Sequence, residues 1–180
     1  KDVPPNEWST SNEIVRRVEK IKTLRSNSKR KATRRLANQP YLFGEIRQPS
    51  SDFILIPRVS SSRREYIPIG FFNKDSIAGD SCILIPNGNL ELFGILNSSV
   101  HMTWVKYICG RLKDDYRYSI EIVYNNFPFA EIEELDQNKL SELSKAILEY
   151  RKNSGQTLET LYNPILMPIE LRRLHEKINK

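Results

Sequence analysis

The chain has 180 residues, 39% of them hydrophobic and 28% charged, enough for one ordinary domain plus an appendage. The charged share and the lack of any apolar run long enough to span a bilayer argue against the membrane class, and the first residues show no signal-peptide pattern. The net charge of +6 is local: residues 1–40 carry 11 Lys/Arg against four Asp/Glu, residues 41–130 nine of each, and residues 131–180 eight against nine. Such a distribution points to an electrostatic footprint rather than to general solubility.

The first residues, KDVPPNEW, start without Met and read as a linker cut from inside a longer protein. Ser9 or Ser11 can cap a helix running to about Arg25, with Ile14, Val15, Val18, Ile21 and Leu24 on one face. A second helix is expected over 28–36. It carries Lys29, Arg30, Lys31, Arg34 and Arg35 within two turns, in a stretch free of Asp and Glu. These cations suit contact with phosphates, which positions a protein on nucleic acid without reading its sequence. The alternative is a solvated surface helix.

From residue 41 to 86 the texture is that of strands: FILIPRV (53–59), YIPIGFF (66–72) and CILIP (82–86). Pro57 and Pro68 restrict the first two to sheet edges or bulged positions. Between them the polar run SSSRRE reads as a hairpin-like connection from which Arg58, Arg63 and Arg64 can reach phosphates or bases, or simply water. The two cysteines, Cys82 and Cys109, each lie in an apolar run and read as buried free thiols, which fits a reducing cytoplasm. Two Cys and two His without ligand spacing give no zinc site.

Asn87-Gly88-Asn89 is a turn signal leading into the stretch around which the chain is organised, residues 90–129. Leu92, Ile95, Leu96, Val100, Trp104, Val105 and Ile108 recur at helical spacing, and Gly110 follows as the expected positive-φ C-terminal residue. His101 is expected to pack rather than to catalyse. A polar turn, Arg111 to Asp115, then leads to a strand expected over 116–124. Lys113 and Asp115 stand two apart, so an extended backbone would point them the same way. A cation can donate to the acceptor edge of guanine and a carboxylate can accept from the amino group of cytosine, so the pair has the chemistry to address one G·C pair. The plainer reading is a surface ion pair on a solvated connection.

Asn125-Asn126-Phe127-Pro128-Phe129 is similar to the Asn-Pro-Pro-Phe/Tyr catalytic motif of adenine methyltransferases, but Asn126-Phe127 replaces the first Pro. We read it as a strand terminus. No glycine-rich cofactor loop accompanies it. Beyond residue 130, Asp136 is expected to cap a helix to about Lys152, ended by Ser154-Gly155. Short helices follow near 157–162 and from Pro168; the tail reads as a packed helical appendage, with nucleic-acid contact through Arg172 and Arg173 as the weaker alternative.

The stretch LFGILNSSVHMTWVKYICGRLKDDYRYSIEIVYNNFPF closely resembles the target-recognition domain of the MmeI-like (type IIL) restriction–modification enzymes. The resemblance extends to SNSKRKATRRLANQPYLF and PRVSSSRREYIPIGFF upstream and LYNPILMPIELRRLHEKIN downstream, in the family's order. It implies that Lys113 and Asp115 form a base-reading pair of the kind that goes with guanine, just beyond a methylated adenine. It implies that Arg117 is a further reading position, with Ser81 as its partner. Lys29, Arg30, Lys31, Arg34, Arg35, Arg58, Arg63 and Arg111 complete the set as phosphate-binding candidates.

The expected class is α+β: N-terminal basic helices, a small mostly antiparallel sheet packed on a long central helix, and a C-terminal helical appendage. The expected division is a linker and connecting helix (1–25) from an upstream methyltransferase domain, a DNA target-recognition domain (26–130) and a C-terminal helical domain (131–180). This chain would itself be non-catalytic and bind double-stranded DNA. S-adenosylmethionine, and Mg2+ for cleavage, would belong to upstream methyltransferase and endonuclease domains of the parent. The competing reading is a free-standing RNA-binding or adaptor module that uses the basic helix.

Overall fold

The computed structural model describes residues 3–180; Lys1 and Asp2 of the expected linker lie outside the described residues. The chain divides into two compact units, Lys1–Arg47 and Gln48–Lys180.

The first unit holds three helices, α1 (Pro5–Trp8), α2 (Asn12–Ser26) and α3 (Lys31–Arg35), followed by a 3-10 turn over Leu36–Asn38. The Arg25 guanidinium organises it. Its Nη1 donates to the carbonyls of Leu36 and Gln39, and its Nη2 to that of Leu42. These bonds fold the 3-10 turn back on α2, while Trp8 meets Tyr41 at 5.6 Å between ring centroids. Helix α2 starts after Ser11, as expected, but buries none of its apolar stripe. Helix α3 is shorter than the expected 28–36 segment, because Arg30 caps it in an extended conformation and Lys29 precedes it. The Ser28 hydroxyl accepts from the Arg30 N–H, a local bond that competes with helix, and cations in a first turn oppose the helix dipole.

The second unit contains two antiparallel three-stranded sheets. In the first, β1 (Phe53–Pro57) lies between β3 (Gly70–Phe72) and β4 (Cys82–Pro86). In the second, β6 (Asp115–Arg117) lies between β2 (Val59–Ser60) and β5 (Gly110–Leu112). One residue joins them. Arg58 donates its N–H to the Ser81 carbonyl beside β4, and its carbonyl accepts from Tyr118 beyond β6. The α+β class holds, with the expected single sheet split in two at Arg58.

The expected central helix is also in two pieces, α4 (Leu90–Leu96) and α5 (Ser99–Ile108). The break is chemical. The Ser98 hydroxyl accepts from the His101 N–H and starts a new helix, and the Asn97 side chain donates to the Phe93 carbonyl. Helix α5 ends at Ile108, and Gly110 enters β5 opposite Arg117 instead of adopting positive φ. The expected strand over 116–124 stops at Arg117. Ser119 accepts from the Ile122 N–H and bends the chain into a π-helical turn, Ile120–Tyr124. The Asn125–Phe129 segment therefore follows a turn rather than ending a strand, and Phe127 is buried edge-on against His101 and Trp104.

Helices α6 (Glu134–Ser154), α7 (Leu158–Leu161) and α8 (Ile169–Ile178) complete the unit. Helix α6 begins two residues before the expected cap Asp136 and ends at Gly155, whose φ of 62° suits a residue without a Cβ. Ile147, Leu161, Tyr162 and Leu171 join Ile54, Ile56, Ile83, Phe93 and Val105 in one continuous core. Helices α4 and α6 approach closely at Gly94, where a Cβ would lie 2.5 Å from Leu140 and 2.6 Å from the Ser144 hydroxyl.

A polar circuit is buried where these layers meet. Arg151 donates from Nη1 to the Ile69 carbonyl (2.7 Å) and from Nη2 to Asn97 Oδ1 (3.3 Å) and to the Tyr162 hydroxyl. The Tyr162 O–H in turn donates to His175 Nε2 (2.7 Å), whose Nδ1–H reaches the Asn97 carbonyl (3.2 Å). Replacing Arg151 by Met is expected to cost about 3 kcal/mol, because three buried acceptors lose their donor; urea denaturation of the two proteins measures it.

His101 is buried too, donating from Nδ1 to the Leu96 carbonyl (2.8 Å) and accepting at Nε2 from Tyr118 (2.9 Å). Burial pulls the His101 pKa down to about 4. Burial, aided by the Arg151 charge, pulls that of His175 down to about 3. The unfolded chain takes up these protons near pH 6.5 and the folded chain does not, so both contributions are complete above pH 6.5 and are lost as pH falls toward 4 and 3. Stability is expected to drop by roughly 2 kcal/mol per histidine between pH 7 and pH 5, before carboxylates titrate. Equal urea midpoints at those two pH values would contradict it.

Candidate nucleic-acid interface

The second sheet presents a short β-ribbon. Strands β5 and β6 pair with Gly110 opposite Arg117, Arg111 opposite Tyr116 and Leu112 opposite Asp115, leaving Lys113 and Asp114 as a two-residue tip. A tight hairpin loop of this kind needs positive φ in its first central position, and Lys113 supplies it with φ of 55°. The expectation that an extended backbone aligns Lys113 with Asp115 is therefore corrected: Lys113 projects from the turn, and only Asp115 and Arg117 share a face by strand alternation. Tyr116 between them is buried.

Asp115 is half-buried, and its Oδ1 accepts from the Ser62 N–H at 3.3 Å. This bond ties the 61–65 loop, which carries exposed Arg63, to the root of the tip. It leaves the second carboxylate oxygen as an acceptor. Lys113 is exposed and forms no ion pair with Asp115 or any other carboxylate among the described residues. The plain reading of the two as a surface ion pair is thus not what the side chains do.

Arg117 lies on the wall of a cleft of about 540 Å³, together with Arg58, Ser81, Ser119 and Glu121. Sheet pairing explains the convergence, since β2, β6 and the start of β4 all meet at Arg58. Arg58 spends its Nε on the Asp80 carbonyl at 3.0 Å, which keeps its guanidinium beside Ser81. Ser81 and Arg117, 36 positions apart in the chain, are brought to one place. Glu121 was missed from the sequence: it reaches this cleft only because the chain bends into a π-helical turn where a strand was expected.

Of the other expected contacts, Arg64 donates to the Tyr162 carbonyl at 3.2 Å, and Arg172 forms an ion pair with Glu65 at 3.2 Å. Both hold the 61–65 loop to the C-terminal helices. Arg111 is engaged within the ribbon, over the Tyr116 ring. In the first unit, Lys29, Arg30, Lys31, Arg34 and Arg35 are all exposed. Arg34 donates to the carbonyls of Ser28 and Lys29 at 2.9 Å each, and none of the five has a carboxylate partner among the described residues. Cys109 is buried and Cys82 half-buried, both as free thiols. No His/Cys/Asp/Glu group among the described residues is arranged to hold a metal, and none of the helices is long and apolar enough to cross a membrane.

Residues 1–131 match the family model described as the MmeI target recognition domain, and residues 132–180 match the MmeI C-terminal domain. A relative from Bacillus subtilis (strain 168), DNA methyltransferase A, is 42% identical over 166 residues, covering 92% of this chain and 19% of that protein. A solved structure of the type IIL restriction–modification enzyme MmeI in complex with DNA superposes with a TM-score of 0.89 at 36% identity, over 99% of this chain and 24% of that one. The chain belongs to the MmeI family, as its target recognition and C-terminal domains. It spans about a fifth to a quarter of the length of these two relatives.

Left-handed backbone at a residue with a Cβ is costly, so Lys113→Gly is expected to raise the stability of the isolated chain by about 1 kcal/mol. A thermal melt showing no gain would mean that the turn relaxes on substitution.

Proposed function

We propose that this chain supplies DNA sequence recognition to a longer, bifunctional adenine methyltransferase and endonuclease acting at a non-palindromic site. The observation that carries the reading is the ribbon itself: Lys113 stands exposed at its two-residue tip, and Asp115 and Arg117 share one face of β6 on either side of buried Tyr116, on a chain of the MmeI family. A protruding β-ribbon fits the major groove of B-DNA, where a cation addresses guanine and a carboxylate addresses cytosine. Lys113 then donates to guanine O6 and N7, and the free oxygen of Asp115 accepts from the paired cytosine. Arg117 and Ser81, meeting at one cleft, read a neighbouring base pair.

Lys29, Arg30, Lys31, Arg34 and Arg35 neutralise backbone phosphates, and Arg58 and Arg63 flank the reading ribbon. We assign residues 1–25 to the connection with the catalytic part of the parent, 26–130 to reading and 131–180 to its support. In this reading the parent's other domains bind S-adenosylmethionine and, for cleavage, Mg2+. This chain offers neither a glycine-rich loop nor a metal-binding cluster among its described residues. Two unpaired thiols favour a cytoplasmic setting.

The assignment is tested on the full-length parent. Single-molecule sequencing of DNA from expressing cells is expected to show one motif with a modified adenine followed by guanine. Lys113→Glu combined with Asp115→Arg is expected to convert that guanine to cytosine, since the donor and acceptor exchange places. Retention of guanine by the double variant would remove Lys113 and Asp115 from base reading.

A further inference from the structure

Arg111 stands opposite Tyr116 in the ribbon, so its side chain lies on the face turned away from Asp115 and Arg117. Its guanidinium covers the Tyr116 ring, 4.2 Å from the centroid. Nη2 donates to the Lys106 carbonyl at 3.2 Å, in the last turn of α5, where helix carbonyls lack intrahelical donors. Nη1 donates to the Asp114 carbonyl at the tip, also at 3.2 Å. A single planar fork thus ties the tip of the ribbon to the end of a helix. The residue before Asp114 in the turn is Lys113, whose left-handed backbone persists only where the surroundings hold the turn.

We propose that Arg111 is a positioning residue for base reading: it fixes the turn that presents Lys113 and does not itself contact a phosphate. The inference rests on Lys113 being a base-reading residue. It replaces the phosphate-binding role that the sequence alone suggests for Arg111. The two roles differ in what they demand of the side chain. A phosphate accepts any cation, whereas spanning two carbonyls while stacked on a ring requires the guanidinium fork.

The experiment uses the full-length parent, with duplexes carrying its own methylated motif and the same motif with the guanine replaced. Arg111→Ala and Arg111→Lys are both expected to reduce discrimination between these duplexes by about tenfold, the scale of one base contact. Affinity for the substituted duplex, and the slope of log K against log salt, should stay unchanged. Combining Arg111→Ala with Lys113→Ala should lower discrimination no further than Lys113→Ala alone, because both act through one contact. The inference is overturned if Arg111→Ala weakens both duplexes equally and lowers the salt slope by about 0.9 while Arg111→Lys restores binding, the signature of a phosphate contact. Discrimination left intact by Lys113→Ala would instead overturn the base-reading assignment itself, and this inference with it.

Discussion

The second unit depends on one buried cation. Arg151 is 7% exposed and has no carboxylate beside it among the described residues; neutral acceptors take up both Nη groups and the faces of Phe93 and Tyr162 cover it, while its buried Nε has no partner among those residues. Removing a guanidinium from water is expensive, and the circuit through Tyr162, His175 and Asn97 offsets that expense only when every member is in place. Those members come from the segment before β3, the break between α4 and α5, helix α6, the end of α7 and helix α8. Five segments distant in sequence are therefore fixed to one another by a network that tolerates little misregistration. Apolar burial alone would hold them together without specifying how.

This circuit bears on the β5–β6 ribbon through the helix break. At the break, Asn97 meets Arg151 through its side chain and His175 through its carbonyl, and Ser98 caps α5, which starts from there. Helix α5 then sets the origin of β5. His101 on the same helix bonds Tyr118, just beyond β6, so both arms of the ribbon leave from positions fixed by buried polar contacts. The 61–65 loop is pinned at one end to Asp115 and at the other to Tyr162 and Arg172. The C-terminal helices thus serve the ribbon as scaffold, although no residue of theirs lies in it.

Much of this was legible in the sequence. The helical periodicity of α6, the turn at Asn87-Gly88 and the strands β1 and β4 all follow from pattern and composition. Two kinds of feature did not. Ser98 and Ser119 each cap a new turn inside an apolar run, and the periodicity of the run concealed caps whose polar groups are satisfied only in the folded chain. Juxtapositions across the two sheets, such as Ser81 with Arg117 and Glu121, depend on the crossing at Arg58, which no local signal announces. The fold class was readable from short-range patterns; the shape of the site was set by long-range pairing.

The left-handed backbone at Lys113 also limits which side chains the tip of the ribbon can carry. At that φ a β-branched side chain clashes with its own backbone, so Val, Ile and Thr are excluded on steric grounds before any question of hydrogen bonding arises. Long unbranched side chains such as Lys, Glu, Gln and Arg bear the same modest strain, and Asn, Asp and Gly bear less. The residues admitted by the turn include those with donors and acceptors suited to base edges, and the residues it rejects include Thr, whose methyl can contact that of thymine. Backbone geometry thus acts as a filter on evolutionary change at this position: on the base-reading role proposed for Lys113, exchange with Glu stays open while exchange with β-branched residues is closed.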